Sequence, residues 1–259
     1  MRWLNLLFVL FINAVPLIGV RYDGWSATNV VVLYWCENLL IAVFTCATIA
    51  LHRRLTRKRG HWRVGVLGTK TNNKPSTQTL LGEYATIAFV FTLAHGVFVG
   101  AFTLMGKGDP HWTLSLPQLR HGVILIFAVL ALQFASDLPT LRQRSFAWLK
   151  AGVGSRLGRV LIMHFAIIFG MGAMMLSDSP SPMPVLYVLI GLKALWDVAA
   201  SYSANKPDTL PDQPPAWAQK LADSVAQDAG GAPALAAQWT HDRAAMLRAA
   251  QEDEEIMPP

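Results

Sequence analysis

Apolar residues in this chain fall in long blocks separated by short polar stretches. Six blocks reach or approach the ~20 helical residues that a bilayer core demands. They lie at about 3–20, 27–51, 80–105, 121–137, 159–176 and 184–203, the fourth and fifth being short for full spans. The first block follows Arg2 and has the outline of a leader peptide, but Asn13 and Pro16 stand where a small-x-small cleavage site would lie. It reads as an uncleaved first span. No internal repeat signals a two-fold transporter architecture.

The pattern changes after residue 203. The stretch NKPDTLPDQPP is a proline-rich linker that cannot continue a helix. Pro215 can open a helix that spaces Trp217, Leu221 and Val225 at four-residue steps, and Gly230 and Gly231 end it. Pro233 opens another, with Leu235, Trp239 and Met246 on one side, and the chain closes on the acidic run Glu252–Glu255. The predicted fold class is therefore all-α. Residues 1–203 form a polytopic six-helix transmembrane bundle, and residues 204–259 form a short helical cytoplasmic tail. That tail either packs on the basic loops of the bundle or binds a partner, and the sequence leaves both open.

Composition sharpens the membrane reading. Hydrophobic residues make up 53% of the chain and charged residues 15%, against about 25% charge in a typical soluble domain. The balance excludes a secreted disulfide scaffold, a disordered chain and an ordinary cytosolic enzyme. Cys36 and Cys46 share one apolar block and lie about 15 Å apart along a helix, too far to bridge, so they read as small apolar fillers. Residues 1–203 carry 18 Lys and Arg against 7 Asp and Glu, whereas residues 204–259 carry 4 against 9. A basic body with an acidic tail suggests two parts in different surroundings.

Where the basic residues lie sets the expected orientation. Thirteen fall in the two segments after the second and fourth spans, and the opposite segments hold only Arg21, Lys107 and Arg120. The positive-inside rule then puts both termini in the cytoplasm and makes the protein a multi-pass component of the cytoplasmic (inner) membrane. The clusters at 52–63 and 142–159 read as topogenic and as contacts for anionic lipid headgroups. Nucleic acid is not an expected partner, because the basic residues lie between apolar runs and line no polar domain.

Ionisable residues at span depth are the main functional clues, since burying charge in lipid is costly. The candidate polar cluster is Glu37, Asn38, His95, His164, Lys193 and Asp197, with Glu83, Gln133 and Asp137 nearer the span ends. Lys193 and Asp197 stand four residues apart and share a helix face, so they can pair. Glu37 is a competitor for Lys193 and needs a cation or a hydrogen-bond partner of its own. Neither histidine belongs to an HExxH or HxxxH pattern, so no metal site is predicted. Thr92, Gly96 and Gly100, and again Gly170, Gly172 and Ala173, form seams that let another helix approach closely.

Tyr34-Trp35-Cys36-Glu37-Asn38, His95-Gly96-Val97-Phe98-Val99 and the run from Arg159 to His164 together resemble an uncharacterised family of small prokaryotic multi-pass membrane proteins, a domain of unknown function. The resemblance covers about residues 1–203 and implies no activity, substrate or cofactor. Such proteins often carry a second histidine two turns before the one matching His95. Here that position is Ile87, which weakens any metal-site argument.

The sequence thus predicts an integral membrane protein of unknown biochemical role. A small carrier or permease-like role leads, with Glu37 or Asp197 as proton-responsive groups. The alternatives are a membrane-embedded, metal-dependent enzyme, or a scaffold whose tail binds a protein partner; self-association into a homo-oligomer is equally open.

Overall fold

The computed structural model describes residues 2–63, 79–105, 113–176, 183–203, 211–225 and 231–258, with the side chains of 2–5, 102, 105, 161–164, 166–176, 183–185, 201–203 and 225 outside that description. Among the described residues all regular structure is helical, apart from one antiparallel bridge between Lys58 and Ile256. The helices are α1 (Arg2–Tyr22), α2 (Ala27–Thr56), α3 (Gly60–Arg63), α4 (Leu80–Met105), α5 (Leu116–Leu141), α6 (Phe146–Leu176), α7 (Met183–Ser203), α8 (Ala216–Val225) and α9 (Gly231–Glu254). Three stretches are long and apolar enough to cross a membrane: Ala27–Thr56, Leu80–Ala101 and Leu116–Leu141. Leu6–Tyr22 is a shorter apolar helix.

Helix α2 is the centre of the packing. Ser26 starts it by accepting a hydrogen bond from the Asn29 amide at 3.1 Å. It ends at Arg57, whose left-handed backbone (φ 50°, ψ 29°) is uncommon for a residue with a Cβ. Helices α4 and α5 pack along α2, α6 packs on α7, and α1 lies against α5 and α7. Asn29 meets Gln118 near one end of α2, and His52 meets the Arg144 carbonyl at the other, so α2 and α5 run parallel. Trp35 donates to the Thr92 carbonyl at 2.8 Å while Ala42 and Ile49 pack with Leu80 and Tyr84, so α4 runs antiparallel to α2.

Two helices in particular extend beyond their apolar blocks. The fourth block marks 121–137, but α5 runs from Leu116 to Leu141; the fifth marks 159–176, but α6 starts at Phe146. The polar first turns of a helix carry no hydropathy signal, so an apolar window begins late. Residues 146–159, read as a loop, are helix, and Ser145 supports the start by accepting from the Trp148 amide at 3.1 Å. Lys150, Arg156 and Arg159 are therefore helix residues. The small-residue seam of α4 is used only in part. A Cβ on Gly96 would fall 3.0 Å from the Trp35 indole nitrogen, whereas one on Gly100 would meet nothing within 4 Å. Gly96 thus receives a side chain of α2, not its backbone. The Gly170–Ala173 seam lies where side chains are outside the description.

The acidic end of the chain closes on the basic segment after α2. The Arg59 amide donates to the Glu255 carbonyl at 2.8 Å, and the Met257 amide to the Arg57 carbonyl at 3.0 Å. Lys58 pairs with Glu254 at 2.5 Å, Arg59 with Glu255 at 3.0 Å, and Arg63 with Glu252. Glu254 also accepts from the Phe146 and Ala147 amides at 2.6 and 3.3 Å, which caps α6 and places a carboxylate at the positive end of its dipole. Of the two fates left open for the tail, its acidic end takes the first. This clasp joins α2, α3, α6 and α9 at one corner.

Candidate functional site

The site grows from α7. Lys193 and Asp197, one turn apart, pair at 3.1 Å, and Lys193 also lies 3.3 Å from the Glu37 carboxylate. Two buried carboxylates facing one lysine leave a negative charge uncompensated. Arg159 of α6 supplies the second cation: it binds Glu37 and lies 3.3 Å from Asp197. Asn13 of α1 completes the group, accepting from Lys193 at 2.8 Å and donating to Asp197 at 3.0 Å and to the Val9 carbonyl at 2.8 Å. The Lys193 ammonium also sits 5.2 Å from the centre of the Tyr34 ring. Four helices thus meet in a network of formal charge zero.

Exposure orders the network in depth. The side chains of Glu37 and Lys193 are 1% exposed, and those of Asp197 and Arg159 are 10% and 11% exposed. The shallower pair borders a partly open cavity of ≈ 210 Å³ lined by α1, α2, α5, α6 and α7. Its polar lining includes Thr45, Thr48, Gln133, Asp137, Arg156 and Trp196. Among the described residues, the Arg159 Nε and Trp196 Nε1 donors and the Glu37 Oε2 acceptor are buried without a hydrogen-bond partner. Native interiors rarely leave such groups unpaired.

The six predicted residues divide. Glu37, Lys193 and Asp197 converge. Asn38 and His95 line a separate small crevice with Tyr34, Trp35 and Val99, and the His95 Nδ1–H donates to the Phe91 carbonyl at 2.9 Å. The His164 side chain lies outside the described residues. Arg159 and Asn13 were not among the predicted site residues. Arg159 sits at the edge of an apolar block and counted as a loop charge, although two span-depth carboxylates against one lysine already asked for a further cation. Among the described residues, no group of three or more His, Cys, Asp or Glu is placed to hold a metal ion.

Close packing of α6 on α7 positions the cavity wall. A Cβ on Gly158 would fall 2.4 Å from the Trp196 ring, so only glycine admits the indole there. Gly158→Ala is expected to cost about 1–3 kcal/mol through overpacking. Gly154→Ala, with nothing within 4 Å of the added methyl, is expected to be neutral or stabilising by about 0.5–1 kcal/mol. Thermal unfolding of the two variants checks the contrast; equal effects would contradict it.

These features define an all-helical protein with apolar helices long enough to cross a membrane and a buried ion-pair network beside a cavity. The chain belongs to a family of unknown function, DUF6498, whose model matches residues 1–214. No curated protein and no solved structure matches it.

Proposed function

We propose that this chain is a six-span inner-membrane protein of carrier type, which binds a small polar solute in the cavity beside Arg159 and Asp197. Residues 1–203 form the bundle, and 204–259 form a cytoplasmic tail. The bare apolar faces of helices beyond those three candidate spans favour six spans. Leu7, Leu10, Phe11 and Ile18 of α1 and Val188 and Leu195 of α7 are all exposed, a band that suits lipid and not water. The basic segment 57–63, the α5–α6 corner and the acidic end of the chain all meet at one end, in keeping with cytoplasmic termini. In this arrangement part of the 52–63 cluster is occupied by the tail, which leaves Arg53 and Arg54 as the headgroup contacts.

One observation carries the functional reading. Four charged side chains from α2, α6 and α7 converge, and two of them, Arg159 and Asp197, line one cavity. A charge-balanced network is stable with no solute, yet each pair can be exchanged for a solute group. Glu37 and Asp197 are the candidates for coupling solute to protons. The test is stopped-flow light scattering on proteoliposomes after an osmotic jump, with a panel of acetate, methylammonium, glycine and urea. At least one solute should re-swell these vesicles faster than protein-free ones, and Glu37→Gln should reduce that excess. A panel in which no solute enters faster than through bare lipid overturns the carrier reading.

A further inference from the structure

The charges around the cavity define which solute fits it, an inference that rests on reading the cavity as a solute site. Asp137 of α5 and Arg156 of α6 both line it, and among the described residues neither makes an ion pair. They add one further negative and one further positive charge to the Asp197 and Arg159 already at its inner edge. The lining therefore carries two carboxylates and two guanidiniums. A lone anion or a lone cation entering such a space leaves an opposite charge unmatched, and charge in a poorly hydrated site must be matched.

The unpaired groups differ by wall. On the side of α6 and α7 the Arg159 Nε and the Trp196 Nε1 are donors without a partner and Arg156 makes no ion pair, while Asp197 is already held by Lys193, Arg159 and Asn13. Asp137 belongs to α5 and is an acceptor that feels the Arg156 and Arg144 charges but, among the described residues, pairs with neither in direct contact. Guanidinium forks suit a carboxylate bidentately, and the indole N–H adds a further donor. The lining also includes Ile12, Ile41, Phe44 and Leu130, apolar surface for a short hydrocarbon group. A space of ≈ 210 Å³ holds a solute of a few heavy atoms and is smaller than drug-sized pockets, which start near about 300 Å³.

We propose that the cavity binds a small zwitterion of amino-acid type, its carboxylate on Arg156, Arg159 and Trp196 and its ammonium on Asp137. No bond is made or broken. The solute gives direct partners to Asp137 and Arg156, which attract each other without forming an ion pair.

The experiment measures thermal unfolding of the purified full chain in detergent, titrated with glycine, L-alanine, acetate or methylammonium. Both amino acids should raise the midpoint saturably, and the two simple ions, alone or mixed, should raise it less. Asp137→Asn should weaken the alanine response about tenfold while leaving the acetate response in place, and Arg156→Gln should weaken alanine and acetate alike by about tenfold. No saturable response to either amino acid, simple ions acting as strongly as alanine, or unchanged responses in both variants would each overturn the assignment. If one variant fails to fold, the other carries the comparison, and the wild-type ranking of the four probes decides in any case. Saturable alanine binding with no panel solute entering vesicles faster than through bare lipid retires the carrier reading and keeps this one. Entry of a solute other than a zwitterion, with no alanine response, does the reverse.

Discussion

Arg159→Met should destabilise the helical body by about 3–5 kcal/mol, the usual cost of breaking a buried ion pair from one side. The side chain binds Glu37 and reaches Asp197 at 3.3 Å, and methionine replaces it with a group of similar length and no charge. Two carboxylates are then left with Lys193 alone, in surroundings where Glu37 is 1% exposed. The excess negative charge, and not the lost volume, causes the damage. A second substitution therefore repairs part of it. Glu37→Gln in the Arg159→Met background removes the surplus carboxylate and leaves Lys193 and Asp197 paired at 3.1 Å. The double variant should be more stable than Arg159→Met alone, with a coupling energy of about 1–3 kcal/mol from the full cycle. Thermal or denaturant unfolding in one detergent measures all four proteins. Additive effects, or an Arg159→Met protein within about 0.5 kcal/mol of wild type, would mean that the network contributes little.

This network also marks how far the sequence could be read. Lys193 and Asp197 were legible as a pair because a helix repeats its face every four residues, and Glu37 because a carboxylate deep in an apolar block must find a partner. Arg159 was hidden by a boundary effect, since α6 begins 13 residues before its apolar block and residues 146–159 carry a loop-like composition. Asn13 was hidden because a single amide in an apolar block looks the same whether it faces lipid or a charge. His95 was assigned to the same cluster by depth alone. Depth is set by position along a helix, but convergence is set by rotation about it, and a hydrophobic block with little periodicity does not report rotation. The same limit governs the tail. The acidic run and the basic segment were both visible, yet their pairing spans nearly 200 residues, and nothing local encodes it.

Glu254→Ala should open the corner where that pairing happens, at a cost of about 1–2 kcal/mol for the lost helix cap. Glu254 holds the first two amides of α6 and the Lys58 ammonium at once. Glu254→Gln keeps an acceptor for the amides and loses the charge, so it should retain part of the stability. Glu252→Ala and Glu255→Ala remove partly exposed pairs and should each cost less than about 1 kcal/mol. Acid acts on the same corner through His61, which is fully buried and whose pKa is pushed down from 6.5 to about 3 by desolvation first, then by His52, Arg53 and Lys58. The Arg144 carbonyl can only accept from His52 Nε2 at 3.2 Å. His52 Nδ1 is then the bare nitrogen, and His61 Nε2 donates to it at 2.8 Å. His61 Nδ1 is left buried without a partner, so a proton arriving there finds no acceptor. With the closed-state pKa below the open-state value, the open corner binds the extra proton. The closed form is therefore at full stability above pH 6.5 and loses it as the pH falls from 6.5 toward 3. At pH 5 the loss is about 2 kcal/mol, from about 1.4 kcal/mol per pH unit. Hydrogen exchange at the Arg59, Phe146 and Ala147 amides, corrected for its intrinsic pH dependence, reads the opening directly. Protection should fall about thirtyfold between pH 7.5 and 5 in the native chain, and His61→Gln should remove most of that dependence. Protection that is flat with pH, or equally pH-dependent without His61, would place the acid response elsewhere.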